Sequence, residues 1–275
     1  MWVLDKTATS MGARLLRRWI NEPLVDTDKI NLRLNGVAEL KSNEMLRGDV
    51  KENLKRVYDI ERLIGKISYG NANGRDLISL KNSLNQLPKI KENLKNAKSD
   101  MLINLHEKLD TLNDIYELID KWIVEEPPVT IKEGGVIKTG ISEELDELKL
   151  ISTQGKNWIV QIEAKERENT GIKNLKVGYN KVFGYYIEVT KSYLACVPDR
   201  FIRKQTLANC ERYITEELKE FENKVMGAEE KIVVLEYDLF LELRDKISKQ
   251  IERIQNASNI VSTLDVICSF SRSCI

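Results

Sequence analysis

A change of pattern between Ile172 and Tyr213 restricts what this chain can fold into. The segment is dense in β-branched and aromatic residues, which favour strands, whereas the residues on both sides have the spacing of long helices. Two helical arms on either side of a β-rich insert predict a small sheet carried by a pair of helices. We therefore expect the function on the surface of that sheet.

The two arms are predicted from different signals. In the first, Ser142 can cap a helix, and Thr170-Gly171 can end it because glycine tolerates a left-handed backbone. In the second, apolar residues from Ile214 to Leu239 alternate spacings of four and three, the 3.5-residue repeat of a coiled-coil seam. Helices that flank one insert should run antiparallel. Periodicity alone also allows two ordinary core helices of a bundle.

The rest of the chain predicts an irregular helical body. The predicted fold is mainly α: an irregular helical bundle with two long antiparallel lever helices that carry a small inserted antiparallel β-sheet. We expect one helical domain in two parts, 1–171 and 214–275, with the insert at 172–213 as the other domain. Helical stretches are expected at Ser10 to about Asn21 and at about 26–42, 44–69, 73–98 and 111–125, and a loop or short hairpin at 129–140.

Four strands are predicted within the insert, at Leu175–Tyr179, Tyr185–Thr190, Phe201–Gln205 and about Cys210–Tyr213. The chain should run outward from the first arm, return, and run outward again after the 191–200 loop, so both turns are predicted to lie together at the far end, away from the arms. Amide, hydroxyl and cationic side chains at such an end could bind phosphate oxygens. The alternative is that they are only solvated turn residues. The candidate residues are Asn180, Lys181, Arg203, Lys204, Gln205, Thr206 and Asn209.

Charge is distributed unevenly along the chain. Basic and acidic residues number 43 each in the 275 residues, so the total charge indicates no partner. The insert holds eight basic residues against three acidic ones, a local excess of +5. A basic patch on a neutral chain favours contact with an anionic surface such as a nucleic-acid backbone. The basic residues are Lys173, Lys176, Lys181, Lys191, Arg200, Arg203, Lys204 and Arg212, and the acidic ones are Glu188, Asp199 and Glu211.

Residues for catalysis or metal binding are sparse. His106, the one histidine, lies on a predicted helix, which favours a surface or packing role, and the four cysteines lack CxxC spacing. No GxxxxGK[ST] loop is present to bind nucleotide phosphates. We expect no enzyme activity, cofactor or metal, and free thiols in a cytosolic protein. Neither a signal peptide nor a membrane span is expected.

Five stretches together are similar to the MutS family of DNA mismatch repair proteins, and they cover essentially the whole chain in order. The resemblance implies a helical lever domain with an inserted β clamp that holds double-stranded DNA by its backbone. It also implies that the seven candidate residues align with the region that approaches the phosphates. The stretches are MWVLDKTATSMGARLLRRWINEPL at the start, SYGNANGRDL at 68–77, EGGVIKTGISEELDEL at 133–148, LKVGYNKVFGYYIEVTK at 175–191 and FIRKQTLANCERYITEELKEFENKV at 201–225.

The resemblance also implies functions outside these residues. In that family two subunits enclose the duplex, an N-terminal domain with a Phe-x-Glu motif recognises the mismatch, and a C-terminal domain hydrolyses ATP. We expect this chain to be a fragment whose lever couples the clamp to an ATPase domain elsewhere, with ATP and Mg²⁺ bound only there. The expected location is the cytoplasm, on the nucleoid. The alternative is a helical structural or interaction module that does not contact DNA.

Overall fold

The computed structural model describes residues 3–180, 182 and 184–273, and the chain forms two compact units. The helical unit contains the residues up to Lys138 and those from Asp238 onward, and the sheet unit contains Thr139–Tyr237. Eleven α-helices and one four-stranded antiparallel sheet in the described part confirm the predicted mainly α fold. The helices are α1 Ser10–Asn21, α2 Thr27–Ser42, α3 Glu44–Leu54, α4 Ile60–Ser68, α5 Gly74–Leu84, α6 Leu87–Asn93, α7 Asp100–Lys108, α8 Asn113–Trp122, α9 Glu143–Thr170, α10 Glu216–Ser248 and α11 Ile251–Ser273. The strands are β1 Lys176–Asn180, β2 Gly184–Thr190, β3 Ile202–Thr206 and β4 Cys210–Ile214.

Helix α11 forms the centre of the helical unit. It contacts α1, α2, α3, α4 and α7, so it is covered on several sides. Its buried residues accordingly include apolar side chains on more than one face, among them Ile254, Val261 and Ile267. The polar groups buried with them, such as Ser258 and Asp265, are hydrogen-bonded to α1 or to the residues just before it.

The start of α1 agrees with its prediction, whereas two longer predicted stretches are divided. The Thr9 hydroxyl accepts from the Gly12 amide at 2.9 Å and caps α1. The stretch 44–69 is two helices because the Asp59 carboxylate accepts from the Arg62 amide and begins α4. The stretch 73–98 is likewise divided into α5 and α6, with Pro88 near the start of α6. A pattern of apolar residues does not show where a cap interrupts a helix.

The helix predicted around His106, for which no bounds were given, is α7, and the segment 129–140 is only partly extended. It contains a short 3₁₀ turn, Ile131–Glu133, and one bridge that pairs Ile123 with Ile137. His106 lies on α7, where its Nδ1 is 2.9 Å from the Lys91 carbonyl oxygen. His106 of α7 therefore contacts the neighbouring helix α6. The thiols of Cys196, Cys210 and Cys268 are unbridged, and Cys274 lies outside the described residues.

The two arms agree with the sequence. The Ser142 hydroxyl accepts from the Leu145 amide at the start of α9, and Gly171 ends α9 in the left-handed conformation with φ of 67°. Residues along α9 contact residues of α10 in reverse order, so within the sheet unit the helices are antiparallel. The contacts are Lys149 with Glu236 at 2.7 Å, Ser152 with Glu229 at 3.3 Å, Trp158 stacked on Phe221 at 3.7 Å between ring centroids, and Lys165 with Glu217 at 3.2 Å.

Candidate nucleic-acid interface

The four strands lie in the order β1-β2-β4-β3, with every neighbouring pair antiparallel. One face covers a small apolar core that includes Ile187, Val189 and Tyr213. The successive residues Tyr185 and Tyr186 face opposite sides, as the alternation of a strand requires. Tyr185 contacts Phe221 of α10, with 6.3 Å between ring centroids, and the Arg212 guanidinium lies over the Tyr186 ring at 4.2 Å.

The two hairpin turns lie at opposite ends of the sheet, so the prediction that they share one end is wrong. Strand β2 pairs with β4 so that Thr190 is opposite Cys210 and Ile187 is opposite Tyr213. The turn that joins β3 to β4 is therefore at the end where β2 finishes. The turn that joins β1 to β2 is at the end where β2 begins. The amide of Lys191 donates to the carbonyl oxygen of Asn209 at 3.1 Å, which places the second turn beside the end of β2.

The connection 191–200 explains this error. The prediction required it to remain at one end of the sheet, but the chain crosses to the other end before β3 begins. Tyr193, Leu194 and Val197 pack against the apolar core of the sheet, and Phe201 is buried in that core. Packing of these partly buried side chains and burial of Phe201 direct the connection across the face of the sheet.

Strand β1 runs back along α9. The Val177 amide donates to the Glu163 carboxylate at 2.9 Å, and Arg167 donates to the Leu175 carbonyl oxygen at 2.8 Å. The first turn consequently lies beside the arms, where Gly184 packs against the Glu222 carboxylate. Gly184 has a φ of 74°, which favours glycine, and a side chain there would collide with Glu222.

The seven candidate residues are therefore separated. Asn180 is at the first turn, where its side-chain oxygen accepts from the Val182 amide at 2.8 Å, and Lys181 lies outside the described residues. Thr206 and Asn209 flank the second turn, at the other end. Arg203, Lys204 and Gln205 lie along β3, an edge strand.

Internal contacts further distinguish the residues of β3. Arg203 is 3.6 Å from the Glu211 carboxylate, and the Gln205 side-chain oxygen accepts from Arg212 at 3.0 Å. Lys204 is exposed, and it falls where the pairing of β3 with β4 shifts register. Such a bulge on an edge strand changes the direction of a side chain and discourages pairing with a further strand.

The arginines of the insert form ion pairs within the sheet unit. Arg200 makes two hydrogen bonds of 2.8 and 2.6 Å to the buried carboxylate of Glu166, and Arg212 is 3.1 Å from Glu188. Glu211 also accepts from the Tyr213 hydroxyl at 2.6 Å. Burial, together with that bond, raises the pKa of Tyr213 to about 12. Glu188 and Glu211 are thus paired inside the unit.

The four described lysines of the insert face solvent instead. Lys173, Lys176, Lys191 and Lys204 are exposed, and no carboxylate among the described residues lies within ion-pair distance of them. Three of the four are at the end of the sheet that holds the second turn. Lys176 begins β1, Lys173 precedes it, and Lys191 follows β2. We call Lys173, Lys176, Lys191, Thr206 and Asn209 the lysine end of the sheet.

Lys173, Lys176 and Lys191 were counted in the predicted charge excess of the insert but were not predicted as DNA contacts. Their proximity follows from strand register, which pairs Lys176 with Glu188 and Thr190 with Cys210. The strand register cannot be predicted from the composition of the insert. Among the described residues, no group of three or more His, Cys, Asp or Glu side chains could hold a metal ion.

A family model described as MutS domain III matches residues 1–271. The chain belongs to the MutS domain III family. Three of the curated relatives that it matches are much longer, and the chain spans 29–32% of their length.

The three relatives are each named DNA mismatch repair protein MutS. That of Acetivibrio thermocellus is 56% identical over 271 residues, which is 98% of this chain and 31% of the relative. That of Caldicellulosiruptor bescii is 56% identical over 273 residues, 99% of this chain and 32% of the relative. That of Clostridium botulinum strain Hall is 52% identical over 272 residues, 98% of this chain and 29% of the relative. None of the described helices of this MutS domain III chain combines the length and apolarity needed to cross a membrane.

Breaking the ion pair between Arg200 and Glu166 should destabilise the sheet unit. Replacing Arg200 with alanine leaves the Glu166 carboxylate, 2% exposed, without its cation, whereas the arginine itself is 47% exposed. We expect the unit to lose about 2–3 kcal/mol of stability, less than for a fully buried pair because water reaches the arginine. Hydrogen exchange of the β2 and β4 amides measures this loss. The control Lys191→Ala should stay within about 0.5 kcal/mol of the wild type, and equal protection in both variants would contradict the assignment.

Proposed function

We propose that the sheet of this MutS domain III chain binds double-stranded DNA through its phosphates, with the lysine end as the main contact surface. The observation that carries the proposal is the position of three exposed lysines without ion pairs at one end of the sheet, among the residues that the structure describes. Phosphate contact requires positive charge and reach, and it needs no base reading. The name of the relatives, DNA mismatch repair protein MutS, agrees with a DNA partner.

The proposal assigns unequal roles to the seven candidate residues. Asn209 supplies an amide beside the lysines, and Lys204 extends the basic surface along β3. Arg203, Gln205 and Thr206 have partners within the sheet, so they contribute less. Asn180, and Lys181 next to it in sequence, belong to the opposite turn and contact a separate part of the duplex or none.

In the longer proteins that contain such a domain, the functions implied by the family resemblance would involve further domains. The arms would transmit the state of the sheet to an ATPase domain outside these 275 residues, where ATP and Mg²⁺ bind. Two subunits would enclose the duplex, in the cytoplasm and on the nucleoid. In this arrangement the sheet holds DNA of any sequence, and mismatch recognition takes place elsewhere.

The salt dependence of DNA binding tests the proposal. Three phosphate contacts predict that the affinity for a short duplex falls about 40-fold between about 50 and 200 mM salt, because each contact releases condensed counterions. Fluorescence anisotropy with a labelled duplex measures this change. Matched and mismatched duplexes should give the same curves.

An affinity that does not depend on salt would overturn the phosphate-binding account. It would favour the second candidate function, a structural or interaction module. That module has no need of unpaired lysines at one end of a sheet, so reversing their charge would leave its partner binding intact.

A further inference from the structure

The helical unit contains an apolar groove that the proposed DNA contact does not use. Its volume is about 300 Å³, and it lies between α1, α2 and the end of α11. Ile20 and Leu34 remain 42% and 56% exposed there. Several large apolar side chains that face water at one place are typical of a binding surface. The lining residues are Trp19, Ile20, Pro23, Leu24, Ile30, Arg33, Leu34, Val37 and Phe270.

Arg33 is the one charged residue among those that line this groove in the described part of the chain. Its guanidinium lies over the Trp19 ring at 3.4 Å, and the side chain is half-buried. No carboxylate among the described residues forms an ion pair with it, whereas Arg14 and Arg253 of the same unit each bind two. Burial lowers the pKa of Arg33, in keeping with a guanidinium that has lost water without gaining an anion.

The floor of the groove is held by contacts within the helical unit. Trp19 contacts Phe270 at 6.4 Å between ring centroids, and both pack against the buried cluster of Leu15, Leu16 and Val266. Stacking on Trp19 also orients the guanidinium of Arg33, so little conformational entropy is lost when an anion binds. The site thus combines a rigid apolar floor with one oriented cation.

We propose that this groove is a docking site for a peptide segment of a partner protein that carries a bulky apolar side chain close to a carboxylate. The apolar side chain would lie on Trp19, Leu34 and Phe270. The carboxylate would pair with the outer edge of the Arg33 guanidinium, which matches carboxylate geometry with two parallel hydrogen bonds.

The same features argue against two other occupants. A duplex phosphate backbone gains nothing from apolar side chains, and a surface for it needs several cations. A second copy of this chain that docked its own groove about a twofold axis would bring the two Arg33 side chains together without anions. Charge complementarity therefore selects an acidic and apolar peptide.

Phage display tests the proposal. A random library of twelve-residue peptides is selected for binding to the immobilised 275-residue chain. Enriched peptides should carry Leu, Ile, Phe or Trp near Asp or Glu. Leu34→Asp should abolish their binding, because it places a carboxylate on the apolar floor. The matched control is Met45→Asp, since Met45 is an apolar residue of the same unit that is 80% exposed outside the groove. If Leu34→Asp is poorly folded, the milder Leu34→Ala should still weaken binding.

A double-mutant cycle tests the ion pair. Arg33→Gln, or the acidic residue of a selected peptide changed to its amide, should each weaken binding about tenfold, and the two together should weaken it no further. Four results would overturn the proposal. The first two are that no selected peptide depends on Leu34, and that Arg33→Gln weakens acidic and amidated peptides equally. The other two are a dimer of the chain that Leu34→Asp dissociates, and a longer protein that does not bind the peptide because its own segment covers the groove.

Discussion

Replacing Asp265 with alanine is expected to lower the free energy of unfolding of the helical unit by about 3–5 kcal/mol. Asp265 lies on α11 and is 1% exposed. One carboxylate oxygen accepts from the Ala8 amide at 2.8 Å, and the other accepts from the Thr9 amide at 2.8 Å and the Thr9 hydroxyl at 2.7 Å. Alanine would leave the two buried Thr9 donors and the partly buried Ala8 amide without an acceptor, which costs more than a hydrogen bond contributes.

The loss should also affect the start of α1. The Thr9 hydroxyl that donates to Asp265 also accepts from the Gly12 amide and caps the helix. A side chain at Gly12 would collide with the Asp265 carboxylate, so glycine allows the close approach. One carboxylate thus holds the beginning of α1 against α11, although the residues are 256 positions apart in sequence.

Urea denaturation followed by far-ultraviolet circular dichroism measures the effect. Asp265→Asn should cost less than Asp265→Ala, because its amide oxygen still accepts one of the donors. The control Asp245→Ala, at a carboxylate 61% exposed and paired with Lys249, should change stability by no more than about 0.5 kcal/mol. An Asp265→Ala variant within about 1 kcal/mol of the wild type would contradict this account.

The pH dependence gives a second measurement on the same residue. Burial raises the pKa of Asp265 above its ordinary value. Ionisation is then less favourable in the folded chain than in the unfolded one, so this residue stabilises most below about pH 4 and less as the pH rises through the raised pKa. Asparagine does not ionise. The stability difference between wild type and Asp265→Asn should therefore decrease as the pH rises from about 4 to 7.

The contact of Asp265 with Ala8 and Thr9 shows what the sequence could not predict. The α1 pattern from Ser10 to Asn21 is local, and both the helix and its termination before Pro23 were predicted. An aspartate inside a buried helix has no local signal, because its partners are close only after the chain folds. The long arms were predictable for the opposite reason, since Ser142 and Gly171 determine the ends of α9 from within a few residues.

In the sheet, too, the local elements were predictable and their arrangement was not. Its four strands follow from composition and turn residues, and their bounds differ from prediction by about one residue. Their arrangement depends on the path of residues 191–200, a connection long enough to remain at one end or to cross. The connection crosses because Tyr193, Leu194 and Val197 pack, partly buried, against the apolar core of the sheet. Likewise, the charge excess was countable, but which cations have carboxylate partners depends on the register.

Replacing the three lysines of the lysine end with glutamine is expected to lower affinity for a DNA duplex between about tenfold and 100-fold at about 50 mM salt. The slope of log affinity against log salt should become shallower by roughly 0.9 for each lysine that contacts a phosphate. Lys173, Lys176 and Lys191 are exposed and have no ion pair within the described residues, so the triple variant should keep its stability. The loss should be equal for matched and mismatched duplexes, because phosphates carry no sequence information.

The matched control changes Lys89, Lys108 and Lys121 to glutamine. These lysines are also exposed and without ion pairs among the described residues, but they lie in the helical unit. Both triple variants have the same net charge, so a difference between them measures the local surface and not the total field. Asn180→Ala, at the opposite end of the sheet, should change affinity less than any single lysine replacement at the lysine end. Equal losses from both triple variants would place the DNA contact elsewhere, and a loss confined to mismatched DNA would mean that the sheet reads bases.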